Sequence, residues 1–283
     1  MSQLQLAGGC HPVVRDAGSI QFGLEADRGP IIAVPEPTRA IGALRRLARP
    51  QPESAAAAAL ERAGLTPARA RAALDELVGY GVLVEPGGPA IALIGGGPLA
   101  RAIGAMLAEE PASLVRPLPG QRVERFLKGL ERGCVVVLAD QHAHSALLAP
   151  ALLGAVDSWL PAALMGGSGV VGPARVAGEG PCPVCTDLRR VARDEAWLRI
   201  AAQLPAGLPG AAGVVLAATA AAAAAQALAL AGAPAPPGRA RRAPRAGAML
   251  VVDPVAGSRR GRARSHPRCP ACWRAASGRS TGG

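Results

Sequence analysis

The sequence predicts an α/β protein in two parts: a small front unit of strands and helices, then a parallel sheet flanked by helices and clipped by cysteines. Three observations carry that prediction. Residues 90–138 alternate apolar runs with helical stretches and open on a strand, a glycine turn and a helix. Residues 1–86 hold a self-contained pattern of short strands and three helices. Two Cys-Pro-x-Cys turns, at Cys182–Cys185 and Cys269–Cys272, offer four sulfurs of which the second pair lies near the end of the chain.

In the front unit, Ser19–Leu24 and Pro30–Val34 read as strands joined by a turn at Ala26–Gly29. The first helix carries Ile41, Leu44 and Leu47 at helical spacing; the second is the alanine-rich stretch Ser54–Ala63, closed by Gly64. The third starts at Thr66-Pro67, an N-cap followed by proline at the first helical position, and carries Leu74, Leu77 and Val78. Val82–Val84 supplies a last strand. Two strands, three helices and a strand make a winged-helix-like module. Pro86-Gly-Gly-Pro89 is a linker, which sets the domains at 1–86 and 90–283.

The second domain opens with the strand Ala90–Ile94, the turn Gly95-Gly-Gly97 and a helix bearing Leu99, Ile103, Met106 and Leu107, with Ala100 at the third glycine position. That is the strand, turn and helix of a Rossmann-type unit. Leu114-Val115 is a second strand, Val123, Phe126, Leu127 and Leu130 mark a second helix, and Val135–Leu138 is a third, buried strand. A nucleotide site of this kind wants an acid about 20 residues beyond the glycines, to hold the ribose hydroxyls. The second strand ends instead at Arg116, and Glu109 and Glu110 come too early. The glycines are therefore expected to serve close packing of strand on helix. Residues 211–231 are apolar and long enough to cross a bilayer, but they are mostly alanine and include Gln226. A buried helix packed through small residues is expected, and no membrane span.

Half of the residues are apolar and only 2 % aromatic, so the cores must be built from Ala, Leu and Val. The formal charge of +11 is concentrated late: eleven arginines stand between Arg239 and Arg279 against the single acid Asp253. A basic Pro/Gly-rich stretch without interleaved aromatics reads as a solvated loop over 233–268, which argues against a nucleic-acid partner. The opening Met1-Ser-Gln-Leu-Gln has neither the basic start nor the apolar run of a signal peptide, and a cytoplasmic protein is expected. A disulfide framework belongs to small secreted chains. A redox role needs only one Cys-x-x-Cys; two such pairs point to a closed tetrahedral zinc site of Cys182, Cys185, Cys269 and Cys272, structural because no position is left for water. Cys134 reads as a core residue and His266 as a turn residue.

Gly169–Pro173, Gly180-Pro-Cys182-Pro-Val-Cys185-Thr-Asp187, Arg193–Trp197, Ala225-Gln226 and His266-Pro-Arg-Cys269 occur in this order. With Ile20–Gly23 in front, this pattern resembles the ThiF-like, leader-peptide-binding partner proteins of thiazole/oxazole-modified microcin (TOMM) biosynthesis, within the ubiquitin-activating superfamily. The resemblance covers essentially the whole chain. It implies a ThiF-type second domain and a front module to which the leader of a precursor peptide adds as a strand, beside the third helix. It also implies a YcaO-type cyclodehydratase as partner, forming azolines with ATP. Related folds are often homodimers. Ile32 and Val34 on an edge strand, with Ala73 and Leu77 on the third helix, are the expected groove residues; the same four would serve equally as winged-helix core. The adenylating members of the superfamily need a ribose-binding acid, phosphate-binding cations and an Asp for magnesium. Here Arg116 replaces the acid, and Asp140-Gln-His142-Ala-His144 lacks the Asn and Arg that usually follow. Gly95, Gly97, Ala100 and Asp140 thus read as a vestigial nucleotide site, and ATP as an improbable ligand. The expected function is non-catalytic peptide binding and scaffolding. The alternative is an ATP-dependent adenylyltransferase acting on a peptide or sulfur-carrier C-terminus.

Overall fold

The computed structural model describes residues 3–26, 29–141, 145–165, 167–204 and 213–279. The expected turn at Ala26–Gly29 lies partly, and the pair His142 and His144 wholly, outside them. Two units divide the chain: Met1–Gly88 with Ala233–Arg241, and Pro89–Gly232 with Arg242–Gly283.

The first unit runs β1 (Gln3–Leu6), β2 (Pro12–Asp16), β3 (Ser19–Phe22), β4 (Ile31–Ala33), α1 (Pro37–Arg46), β5 (Gln51–Pro52), α2 (Glu53–Arg62), α3 (Pro67–Gly79) and β6 (Leu83–Val84). The strands form two three-stranded sheets, ordered β5-β1-β6 and β2-β3-β4. Helix boundaries follow local chemistry. Pro37 and Pro67 sit in first turns, where a missing N–H costs nothing, and the Thr66 hydroxyl accepts the Arg69 N–H at 3.4 Å. Ala40 and Leu44 from α1, Ala56 and Leu60 from α2, and Ala70, Leu74 and Leu77 from α3 meet Ile20, Phe22, Ile32 and Val34 in one core. The sequence reading omitted β1, β2 and β5. β5 is two residues long and ends in proline, and β1 alternates glutamine with leucine, so neither shows an apolar run.

The second unit holds a seven-stranded sheet in the order β13-β12-β11-β10-β9-β7-β8. Its strands are β7 (Ala90–Ile94), β8 (Ser113–Val115), β9 (Val135–Ala139), β10 (Ser158–Met165), β11 (Ser168–Val171), β12 (Ala248–Val252) and β13 (Arg259–Arg262). The pairs among β8, β7, β9 and β10 are parallel; β11, β12 and β13 extend that core antiparallel. β9 is buried along its whole length, as a central strand covered on both faces must be. Alternation sends Ala92, Ile94, Val136 and Leu138 toward α5 (Val123–Lys128) and α6 (Ser145–Ala155). The opposite face is covered by α4 (Pro98–Ala108) and α9 (Gly213–Ala231). α9 is long and apolar enough to cross a membrane, yet it packs on α4 and the sheet through Ala220, Ala223, Ala224 and Ala227. A Cβ on Gly169 of β11 would run into Thr219, which shows how closely this helix lies on the strand.

One expectation is corrected. Residues 233–268 are not a single basic loop of the second domain: Ala233–Arg241 clusters with the first unit, and β12 and β13 lie within the rest. Arginine content does not exclude a strand, because an edge strand tolerates charged side chains. β13 is exposed throughout, and its arginines protect an open sheet edge from pairing with another chain.

Candidate metal centre and peptide groove

The two Cys-Pro-x-Cys turns are built alike. Cys182 is the N-cap of α7 (Pro183–Val191), Pro183 opens the helix and Cys185 completes its first turn. Cys269 stands in the same place before α10 (Pro270–Arg279), with Cys272 in that first turn. Each pair therefore places its sulfurs at a helix N-terminus, where the backbone dipole favours thiolate. The Sγ atoms of Cys182 and Cys185 lie 3.8 Å apart, those of Cys182 and Cys269 3.5 Å, and those of Cys185 and Cys272 3.5 Å. All four fall within 4.8 Å of one another. A tetrahedron with zinc–sulfur bonds of about 2.3 Å has edges of about 3.8 Å, so the set fits a closed zinc centre.

Cys182, Cys185 and Cys269 are buried, and Cys272 half-buried. The His266 N–H donates to the Cys185 Sγ at 3.2 Å, while its ring accepts the Arg268 N–H at 3.2 Å; the side chain stays outside the ligand set. The thiol of Cys182, hydrogen-bonded to Cys185, holds Cys185 far below the ordinary thiol range, at about 4. The same hydrogen bond and burial push Cys182 up, and burial holds Cys272 at about 11. One thiolate thus forms easily, and the others call for a cation.

On the same helix, a cluster appears whose role the sequence did not disclose. The Trp197 Nε1–H donates to Asp187 Oδ1 at 3.1 Å, and the Arg190 guanidinium lies 4.4 Å from the Trp197 ring centroid and 3.9 Å from that same Oδ1. The cluster pins α8 (Trp197–Ala201) to α7, which carries two of the four cysteines.

At the C-terminal ends of the parallel strands, the glycine turn and Asp140 come together. Gly95 has φ +141°, and a Cβ there would stand 2.6 Å from the Ala139 carbonyl oxygen and 3.2 Å from the Ala100 Cβ. Gly97 caps α4 in an extended conformation. Asp140 follows β9 with φ +52°, its Oδ1 accepting the Leu164 N–H at 3.1 Å and its buried Oδ2 without a partner among the described residues. Burial raises its carboxyl above the ordinary carboxylate range, partly countered by that hydrogen bond. Arg116, where a ribose-binding acid was sought, folds back onto α4: its Nη2 donates to the Ala100 carbonyl at 3.2 Å and its guanidinium fills the space beside Gly104.

The first unit contains an open groove between β4 and α3. Among the described residues β4 is an edge strand, paired with β3 alone. The Phe22 N–H bonds the Pro30 oxygen, the Val34 N–H bonds the Gly18 oxygen, and Ile20 pairs with Ile32. By antiparallel alternation, Ile31 and Ala33 direct both their N–H and C=O groups away from the sheet. Beside that edge lie cavities of about 630 and 380 Å³. All four expected residues border them: Ile32, Val34 and Ala73 the first, Ile32 and Leu77 the second. The side chains of Ile32, Val34 and Leu77 are buried in the core, so they form the floor, while Ala73 is half-buried. The exposed walls are Ile31, Arg69, Ala72, Glu76 and Tyr80, joined by the half-buried Pro237 and the exposed Gly238 from the late segment of this unit. Sequence reasoning missed Arg69, Ala72, Glu76 and Tyr80 because it followed the buried stripe of α3; the neighbouring stripe at the same spacing would have found them.

No protein-family model and no curated protein matches the sequence. Among solved structures, one heterocyclase, in complex with substrate and cofactor, matches with TM-score 0.54 and 15 % identity over 96 % of this chain and 40 % of its own. The heterocyclase TruD matches with TM-score 0.52 and 16 % identity over 96 % of this chain and 43 % of its own. The chain thus spans about two fifths of the length of the heterocyclases it matches. What it shares with that part of them is a fold.

Proposed function

We propose that this chain binds the leader of a ribosomally made precursor peptide and presents it to a YcaO-type cyclodehydratase for azoline formation, without itself performing catalysis. The observation that carries the proposal is the unpaired edge of β4 lying beside an open groove under α3. Strand addition there satisfies the free N–H and C=O groups of Ile31 and Ala33, and the groove walls select the side chains. The fold likeness to heterocyclases supports the pathway class.

In this proposal the four cysteines hold one zinc as a structural clip between α7 and α10, and the protein works in the cytoplasm, where thiols stay reduced. The glycine turn and Asp140 remain from a nucleotide site that Arg116 no longer suits. The decisive experiment uses the purified chain with precursor peptides and a YcaO-type enzyme encoded nearby. Leader-dependent binding, with heterocycle formation only when both proteins are present, is expected. Pyrophosphate release dependent on a peptide carboxylate by this chain alone would instead support adenylation.

A further inference from the structure

Resting on the peptide-binding reading above, we propose that the groove reads charge as well as backbone. It takes an extended segment with an acidic side chain at the Arg69 end and a basic one at the Glu76 end. Arg69 and Glu76 are the two charged residues bordering the larger cavity, whose other borders are apolar or small; Glu76 also borders the second. Both are exposed, and neither makes an ion pair among the described residues. Seven residues apart, they lie about 10.5 Å apart along α3 and within about 20° of the same face. Between them stand Ala72 and Ala73, small enough for an extended backbone to approach.

The placement of these charges runs against the helix itself. A helix favours acids in its first turn and cations in its last. α1 ends on Arg45 and Arg46, and α2 begins with Glu53 and ends with Arg62. α3 has no acid in its first turn and no base in its last; it has Arg69 and Glu76 there instead. Helix stability does not account for this pair, whereas a dipolar ligand does.

Direction follows from the packing. Val34 and Pro35 lie at the Thr66–Arg69 end of the groove, and Pro30 and Ile31 at the Leu77–Tyr80 end. A strand rises about 3.4 Å per residue and repeats its face every second residue, so the two complementary side chains should stand two or four positions apart.

The test is selection of a displayed library of short random peptides on the full chain and on the charge-swapped variant Arg69→Glu with Glu76→Arg. The swap puts an acid at N3 and a cation in the last turn, so its melting temperature should hold or rise. Parent-selected peptides should carry an acid and a base at one of these spacings, and variant-selected peptides the reverse order. Each mismatched end should weaken binding by about threefold at low salt, and less at high salt. Enrichment of the same peptides by both proteins would overturn the charge reading and leave peptide binding standing. No enrichment by either would overturn both.

Discussion

Proline placed in β4 separates the open edge of that strand from its paired edge. The Ala33 N–H points away from β3, so Ala33→Pro removes no ladder hydrogen bond of the folded protein. The Ile32 N–H points into the ladder opposite Ile20, so Ile32→Pro both breaks a strand pair and disturbs a buried side chain. An added peptide strand would lose one donor at Ala33, about 1 kcal/mol net. The pyrrolidine ring would also intrude into a strand spacing of about 4.8 Å. Together these predict at least about tenfold weaker binding for Ala33→Pro, with a melting temperature close to the parent's. Ile32→Pro should lose several degrees. Fluorescence anisotropy of a labelled, library-selected peptide, paired with thermal melts of all three proteins, measures both quantities. Unchanged affinity in a folded Ala33→Pro would refute strand addition at this edge, whatever else the groove binds.

Two further predictions concern the second unit. Cys272→Ser leaves three thiolates, and metal analysis should show less than one zinc retained per chain after dialysis against a chelator. Each hundredfold loss in zinc affinity removes about 2.7 kcal/mol of apparent stability at a fixed zinc concentration, or roughly 5–10 °C for a domain of this size. A parent protein free of metal with its thiols reduced would contradict the assignment. Asp140 is an acid whose folded value is raised, so the native state binds its proton more tightly than the unfolded chain, and the group's contribution to stability falls as pH rises above the ordinary carboxylate range. Asp140→Asn keeps an acceptor for the Leu164 N–H, tolerates φ +52°, and should equal or exceed the parent's denaturation midpoint at neutral pH. The gap between the two should narrow toward acid; a variant weaker than the parent at neutral pH would mean that the carboxylate has a bound cationic partner.

How far the sequence could be read depended on the range of each interaction. The Rossmann-type start at β7 and α4 was legible because glycine turn, strand and helix are local patterns, and the third-glycine position of Ala100 follows from the same spacing. The four cysteines were legible because so few side-chain types bind metal that spacing alone restricts the set. β12 and β13 were not. Their pairing is set by register with β11, seventy-seven residues before β12, and neither arginine content nor proline frequency reports register. The groove fell between these cases. Ile32, Val34, Ala73 and Leu77 were named from where the resemblance places a peptide, between the strand and the third helix, and the apolar residues of those elements face the core. The exposed residues beside them, Arg69 and Glu76, carry no local signal except their conflict with the dipole of their own helix.

The glycine turn at the C-terminal ends of the parallel strands has a packing role of its own, whatever it binds. A Cβ on Gly95 would strike the Ala139 carbonyl oxygen, so this glycine is required by strand packing even if no phosphate ever approaches. Gly104 is likewise required by the Arg116 guanidinium, which fills the space beside it and donates to the Ala100 carbonyl. Gly95 and Gly104 thus each have a packing role that does not depend on a bound nucleotide. A glycine motif in such a chain is evidence of geometry alone. Chemistry has to be argued from the charged groups around it, and among the described residues these include Arg101, which donates to the Gly96 carbonyl at 3.0 Å, Arg116, bound to a helix carbonyl, and the buried Asp140, whose Oδ2 has no partner there.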